Sequence, residues 1–129
     1  MTLQITALYA GILALLLVAL SVQVSRRRIS GKVGVGHVED KSLLLAIRTQ
    51  GNFTEYVPLA LLLIGLAEFN GLPAWSVHAM GASLTVGRIL HAIGLSRHAG
   101  TSLPRLLGTT LTWLVLLVSG IVLIYASLT

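Results

Sequence analysis

Arg48-Thr-Gln-Gly-Asn52-Phe-Thr-Glu55-Tyr56-Val-Pro58 runs without a break into the apolar stretch Leu59 to Ala67. On a helix, Arg48, Asn52 and Glu55 fall at i, i+4 and i+7, so all three project from one face, with Tyr56 beside them. Ionisable groups at membrane depth are costly, and by default they mark a functional site.

The surroundings are apolar enough to make membrane depth the right frame. Of the 129 residues, 55% are hydrophobic and only 10% are charged, and the mean hydropathy is +0.90. A soluble domain of this length is far more polar, so the expectation is an all-α membrane protein with one domain spanning residues 1–129. Nine Lys and Arg against four Asp and Glu give a net charge of +5. Arg26, Arg27, Arg28, Lys32 and Lys41 all lie between two hydrophobic segments, however, which is a topology signal and not a nucleic-acid patch. The chain has no cysteine, which excludes disulfides, thiolate metal sites and a protein thiol nucleophile. Any sulfur chemistry here uses a sulfur brought by a ligand.

Hydropathy predicts four transmembrane helices, at about 5–24, 41–69, 73–95 and 104–127. The first is retained and not cleaved, because nothing basic precedes it and Arg26-Arg27-Arg28 follows. Ser25 to Asp40, with Gly31, Gly34 and Gly36, reads as a polar connection. The second helix is about 43 Å long at about 1.5 Å per residue, and Pro58 is expected to kink it without ending it. Asn70-Gly71-Leu72-Pro73 is a tight turn. Ala79, Ser83 and Gly87, continued by Gly94, form a small-residue ridge for close helix approach. The fourth helix is almost entirely apolar after Arg105. Every Lys and Arg outside the helix interiors lies in or beside the first or third connection, which places both termini on the non-cytoplasmic side. Tyr9, Trp75 and Tyr125 then sit near that interface as an aromatic belt.

The tight turn also sets relative depth, because antiparallel helices leaving it descend equally. Counted from its centre at 71.5, Glu55 and Arg88 are level at 16.5 residues, Asn52 and His91 at 19.5, and Arg48 and Leu95 at 23.5. Arg88 and His91 are therefore expected to face Glu55 and Asn52, within one hairpin or across a subunit contact. One reading is structural: Glu55 and Arg88 neutralise each other while Asn52 and His91 bond between helices. That reading leaves Arg48 and Tyr56 unused. Guanidinium groups that bind carboxylates, a glutamate that accepts from an ammonium, and an asparagine that matches peptide groups suit a short anionic peptide such as glutathione.

These residues resemble the second-helix motif of the membrane-associated proteins in eicosanoid and glutathione metabolism (MAPEG), and Gly87-Arg88-Ile-Leu-His91 resembles its third-helix counterpart. The four-helix layout matches too, and the likeness is to small bacterial members of the family. The resemblance implies a homotrimer of four-helix subunits in the bacterial inner membrane, with glutathione as co-substrate held between neighbours. Arg48, Asn52, Glu55 and Tyr56 of one subunit, with Arg88 and His91 of another, would bind it, and Gln50 matches a ligand position in some members. Arg105 is the nearest match to an arginine that stabilises the glutathione thiolate, with Arg97 as the alternative. Leu95 stands where the eicosanoid enzymes often carry a tyrosine. The implied activity is a glutathione-dependent transferase or peroxidase acting on hydrophobic small molecules from the lipid bilayer. The alternatives are a non-catalytic binding or scaffold protein and, more distantly, a small transporter.

Other polar residues read as structural. Arg26, Arg27 and Arg28 anchor the first helix, Glu68 is a solvated cap, and His78 is interfacial or interhelical. Trp113 is a packing or lipid-facing residue. No His or acid accompanies His78 at metal-ligand spacing.

Overall fold

A computed structural model describes residues 2–129, which form four consecutive helices: α1 (Gln4–Gly31), α2 (Lys41–Phe69), α3 (Ala74–Arg97) and α4 (Leu103–Leu128). The helices α2 and α3 form the centre, each packing against all the others. The outer helices α1 and α4 flank them without touching one another among the described residues.

The extent of α2 is the expected one, and the helix runs as one element through Pro58. Its start is fixed by Asp40, whose Oδ1 accepts from Leu43 N and Ser42 N, each at 3.0 Å, and from Ser42 Oγ at 2.8 Å. The Leu43 bond and the Ser42 bonds hold the Asp40 carboxyl below its ordinary pKa.

The first helix is longer than hydropathy predicts. It continues seven residues past Val24 and carries Arg26, Arg27 and Arg28 on its last turns. Arginine is a good helix former, so leaving the apolar region does not end the helix. It stops at Lys32, in the left-handed region at φ 54°, with Lys32 N–H bonded to Ile29 O and Val33 N–H to Arg28 O. The third helix extends to Arg97, and α4 begins at Leu103 behind Ser102, whose Oγ accepts from Arg105 N.

Polar clamps join α1 to the centre. Leu3 offers no side-chain cap to α1, and the free N–H groups of its first turn are met from α2: Glu68 accepts from Ile5 N at 3.0 Å and Thr6 N at 2.7 Å. Glu68 is therefore half-buried and caps a neighbouring helix, where a solvated cap of its own turn was expected. Tyr9 Oη lies 3.1 Å from His78 Nδ1, and the Tyr9 ring lies directly on Gly81. Gln50 Nε2 donates to Ser21 Oγ at 2.8 Å, which in turn donates to Leu17 O.

The α3 and α4 helices approach one another backbone to backbone, and glycine permits it. A Cβ on Gly94 would lie 2.6 Å from Arg105 N; one on Gly108 would lie 2.6 Å from His91 N and would strike the Gly87 carbonyl. The expected ridge thus makes its close approach at Gly87 and Gly94, met by Gly108, while Ala79 is exposed.

The outward surface is hydrocarbon, with Leu15 at 74% and Ile124 at 64% exposure. Three helices, α1, α2 and α4, are long and apolar enough to cross a membrane. The fourth, α3, carries Arg88 and His91, but both are buried by neighbouring helices and neither is presented to lipid. The protein is an integral membrane bundle.

Gly108→Val should force α3 and α4 apart and destabilise the bundle by about 1–3 kcal/mol or more. In contrast, Gly120→Ala, where nothing lies within 4 Å of an added Cβ, should leave the thermal midpoint in detergent unchanged or slightly raised. An unchanged midpoint for Gly108→Val would contradict this packing.

Candidate functional site

Arg88 is the hub of the polar residues. It is 2% exposed and sits on α3 between α2 and α4. Its Nη2 donates to Asn52 Oδ1 at 2.6 Å, its Nη1 lies 3.3 Å from Thr112 Oγ1, and its Cζ lies 6.0 Å from the centre of the Tyr56 ring. Thr112 passes its own proton to Gly108 O at 2.8 Å, which leaves its oxygen as an acceptor for Arg88. One guanidinium therefore ties α2, α3 and α4 together. Its Nε is buried without a partner.

The depth pairing expected from the turn is displaced by about one helical turn. Arg88 meets Asn52, whereas Glu55 pairs with Arg48 at 3.5 Å. The i, i+7 relation puts Arg48 and Glu55 on one face, and the Arg48 side chain lies along the helix past Gly51. Asn52, between them, turns inward to Arg88. His91 is also buried, but against α4, with its backbone N and Cβ beside Gly108 and its Nδ1 unpartnered. The structure thus joins Asn52, Tyr56 and Arg88 in one contact set and Arg48 and Glu55 in another, with His91 a turn away.

The Arg48–Glu55 pair is the unusual feature. Its side chains are 54% and 52% exposed on a membrane helix, and Glu55 lies at the midpoint of α2, about 21 Å from either end at about 1.5 Å per residue. An ion pair facing hydrocarbon there would be strongly disfavoured. The pair is thus left exposed within the described chain, on a helix long and apolar enough to cross a membrane.

Residues 6–125 match the family model for the MAPEG family. The chain belongs to the MAPEG family. It is similar to the inner membrane protein YecN of Escherichia coli strain K12, 39% identical over 114 residues that cover 88% of this chain and 86% of that protein. YecN from Escherichia coli O6:H1 strain CFT073 gives the same identity and coverage.

In this MAPEG chain the remaining residues singled out by resemblance are placed as follows. Gln50 is engaged by Ser21 of α1, and Leu95 is buried. Arg105 is half-buried, and its Nη1 donates to Ala99 O at 2.8 Å and Gly100 O at 3.3 Å. It borders an open cavity of about 710 Å³ whose walls include Leu103, Leu106, Thr109 and Trp113. Arg97, the alternative, is exposed.

Thr112 was not anticipated from the sequence. Its signal is a stripe of small or hydroxylated residues, Gly108, Thr112 and Ser119, at spacings of four and seven in an otherwise apolar helix, and all three are buried.

Asn52→Ala and Thr112→Val should each destabilise the bundle by about 1–3 kcal/mol, because each removes an acceptor from a buried guanidinium. Combined, they should be non-additive, since both act on Arg88. A thermal double-mutant cycle in detergent checks this, and strictly additive losses would show that Arg88 does not couple the two helices.

Proposed function

We propose that the protein is a membrane-embedded glutathione-dependent transferase or peroxidase acting on lipophilic electrophiles, assembled as a homotrimer with glutathione bound between subunits. The observation that carries this reading is the half-exposed Arg48–Glu55 pair at mid-helix on a membrane-spanning element. A neighbouring copy and a zwitterionic peptide between the two would cover it in the way lipid does not. MAPEG membership supports glutathione as that peptide.

In this reading, the peptide's carboxylates pair with Arg48 and its ammonium with Glu55, while Tyr56 and Asn52 line the contact and Arg88 holds both in place. His91 completes the buried side. Arg105 faces the thiol. A free thiol ionises near about pH 8.5, and an adjacent guanidinium lowers that value, raising the thiolate fraction at neutral pH. The sulfur then forms a bond to the electrophilic carbon, the leaving group departs with its electron pair, and the thiol proton passes to solvent. The open cavity beside Arg105, with its Leu and Trp walls, is of a size for a small hydrophobic substrate. Both termini lie on the non-cytoplasmic side of the bacterial inner membrane, with the basic connections in the cytoplasm.

Two observations favour a non-catalytic binding or scaffold protein instead: Leu95 stands buried where related enzymes often present a phenol, and Arg105 is held by loop carbonyls.

Conjugation of glutathione to an activated chloroarene by the detergent-solubilised chain separates the two readings. Glu55→Gln should raise KM for glutathione about tenfold or more, through loss of a charge-assisted bond. Arg105→Ala should leave glutathione binding nearly intact, lower kcat and move the pH–rate profile to higher pH. If the wild type shows neither turnover nor glutathione binding, or if both variants match it, the enzyme reading is wrong.

A further inference from the structure

Two cavities meet at the end of α1 that carries the arginines. One, of about 300 Å³, is bounded by Arg26, Arg27, Ser30, Asp40 and Ser42; the other, of about 270 Å³, by Ala19, Val22, Gln23 and the same Arg26 and Arg27. Ala19, Gln23, Arg26 and Ser30 recur at intervals of four, three and four, so the two arms form one stripe along α1. Its deeper arm is largely apolar and lies within the hydrophobic span; its other arm is polar and lies where α1 leaves it.

The charges there are open to an outside anion. Arg28 is used within the chain, donating to Gly36 O at 2.8 Å. No carboxylate lies within ion-pair distance of Arg26 or Arg27 among the described residues, and Arg27 Nε is buried without a partner. Asp40 puts one carboxylate at the rim, but its Oδ1 already accepts three bonds from the start of α2. Asp40 keeps its charge and is felt by Arg27, so two arginines against this one carboxylate leave the polar arm with a net positive charge.

We propose that this groove holds an anionic phospholipid, with its phosphate between Arg26 and Arg27 and an acyl chain along Ala19 and Val22. A free phosphate ester or a soluble anionic peptide would fill only the polar arm, whereas a diacyl phospholipid matches both the charge and the apolar continuation at the right depth. The bound lipid bridges the end of α1 and the start of α2. This assignment stands apart from the glutathione reading, because none of its residues is hydrogen-bonded or ion-paired to Arg48, Glu55 or Arg88 among the described residues.

The test is lipid retention by the full chain. The purified protein is equilibrated in micelles containing equimolar dioleoylphosphatidylglycerol and dioleoylphosphatidylcholine, repurified, and its bound lipid quantified by mass spectrometry. Wild type should retain phosphatidylglycerol over phosphatidylcholine by about 20-fold, the effect of two arginines near an anionic headgroup. The double substitution Arg26→Gln and Arg27→Gln should abolish that preference, while Arg28→Gln, which removes the same charge from a side chain bonded elsewhere, should change it less than about threefold. Ala19→Trp, on the exposed surface of α1, keeps every charge and should lower phosphatidylglycerol retention by filling the apolar arm, so the proposal remains testable if the double variant does not fold. Equal retention of the two lipids, an Arg28→Gln effect as large as that of the double variant, or displacement of the lipid by millimolar glycerol 3-phosphate would overturn it.

Discussion

The bundle depends on what a buried guanidinium requires. Arg88 has no carboxylate within ion-pair distance among the described residues, so its charge is met by the Asn52 oxygen, the Thr112 hydroxyl and the face of Tyr56. Each partner belongs to α2 or α4, and satisfying Arg88 fixes the relative positions of three helices at once. The glycines at 87, 94 and 108 follow from the same need. Without them α4 could not approach closely enough for Thr112 to reach Arg88. Buried polar groups in a membrane bundle are costly when orphaned, and the partners that meet the two terminal nitrogens of Arg88 also hold the arrangement in one register.

Asn52 and the Arg48–Glu55 pair therefore have different roles although one motif encodes all three. Asn52 shares a face with Arg48 and Glu55, but its side chain is engaged by the hub while theirs stay half-exposed. The inward contact keeps α2 from rotating about its axis, so the outward charges are presented at a fixed angle. The MAPEG family places this chain among membrane proteins associated with glutathione. In the proposed reading, an exposed ion pair at the middle of α2 is a suitable surface for a zwitterionic ligand and for a second copy of the chain.

Much of this was legible in the residues. The bounds of α2 followed from the absence of any turn signal strong enough to end a helix between Lys41 and the Asn70-Gly71 turn, and the polar motif could be assigned to one helix by spacing alone. The depth calculation put Arg88 beside the motif but one turn off, because equal counting from a turn assumes helices of equal tilt and takes no account of which rotamer reaches which partner. The extension of α1 through the arginines was missed because hydropathy reports where a helix leaves the membrane, not where it ends. The Glu68 cap and Thr112 depend on contacts between helices distant in sequence. In Thr112's case, its register with Gly108 and Ser119 along α4 was the available signal.

The most direct measurement is native mass spectrometry of the wild-type chain, released from detergent in the presence of glutathione. A polar stripe covered by neighbouring copies with peptide between them predicts a particle of three chains carrying glutathione, with the bound peptide lost when Arg48 and Glu55 are both replaced by leucine. A single chain without glutathione, at concentrations where the protein remains folded, would contradict that account of how the charges at the centre of α2 are accommodated in the membrane.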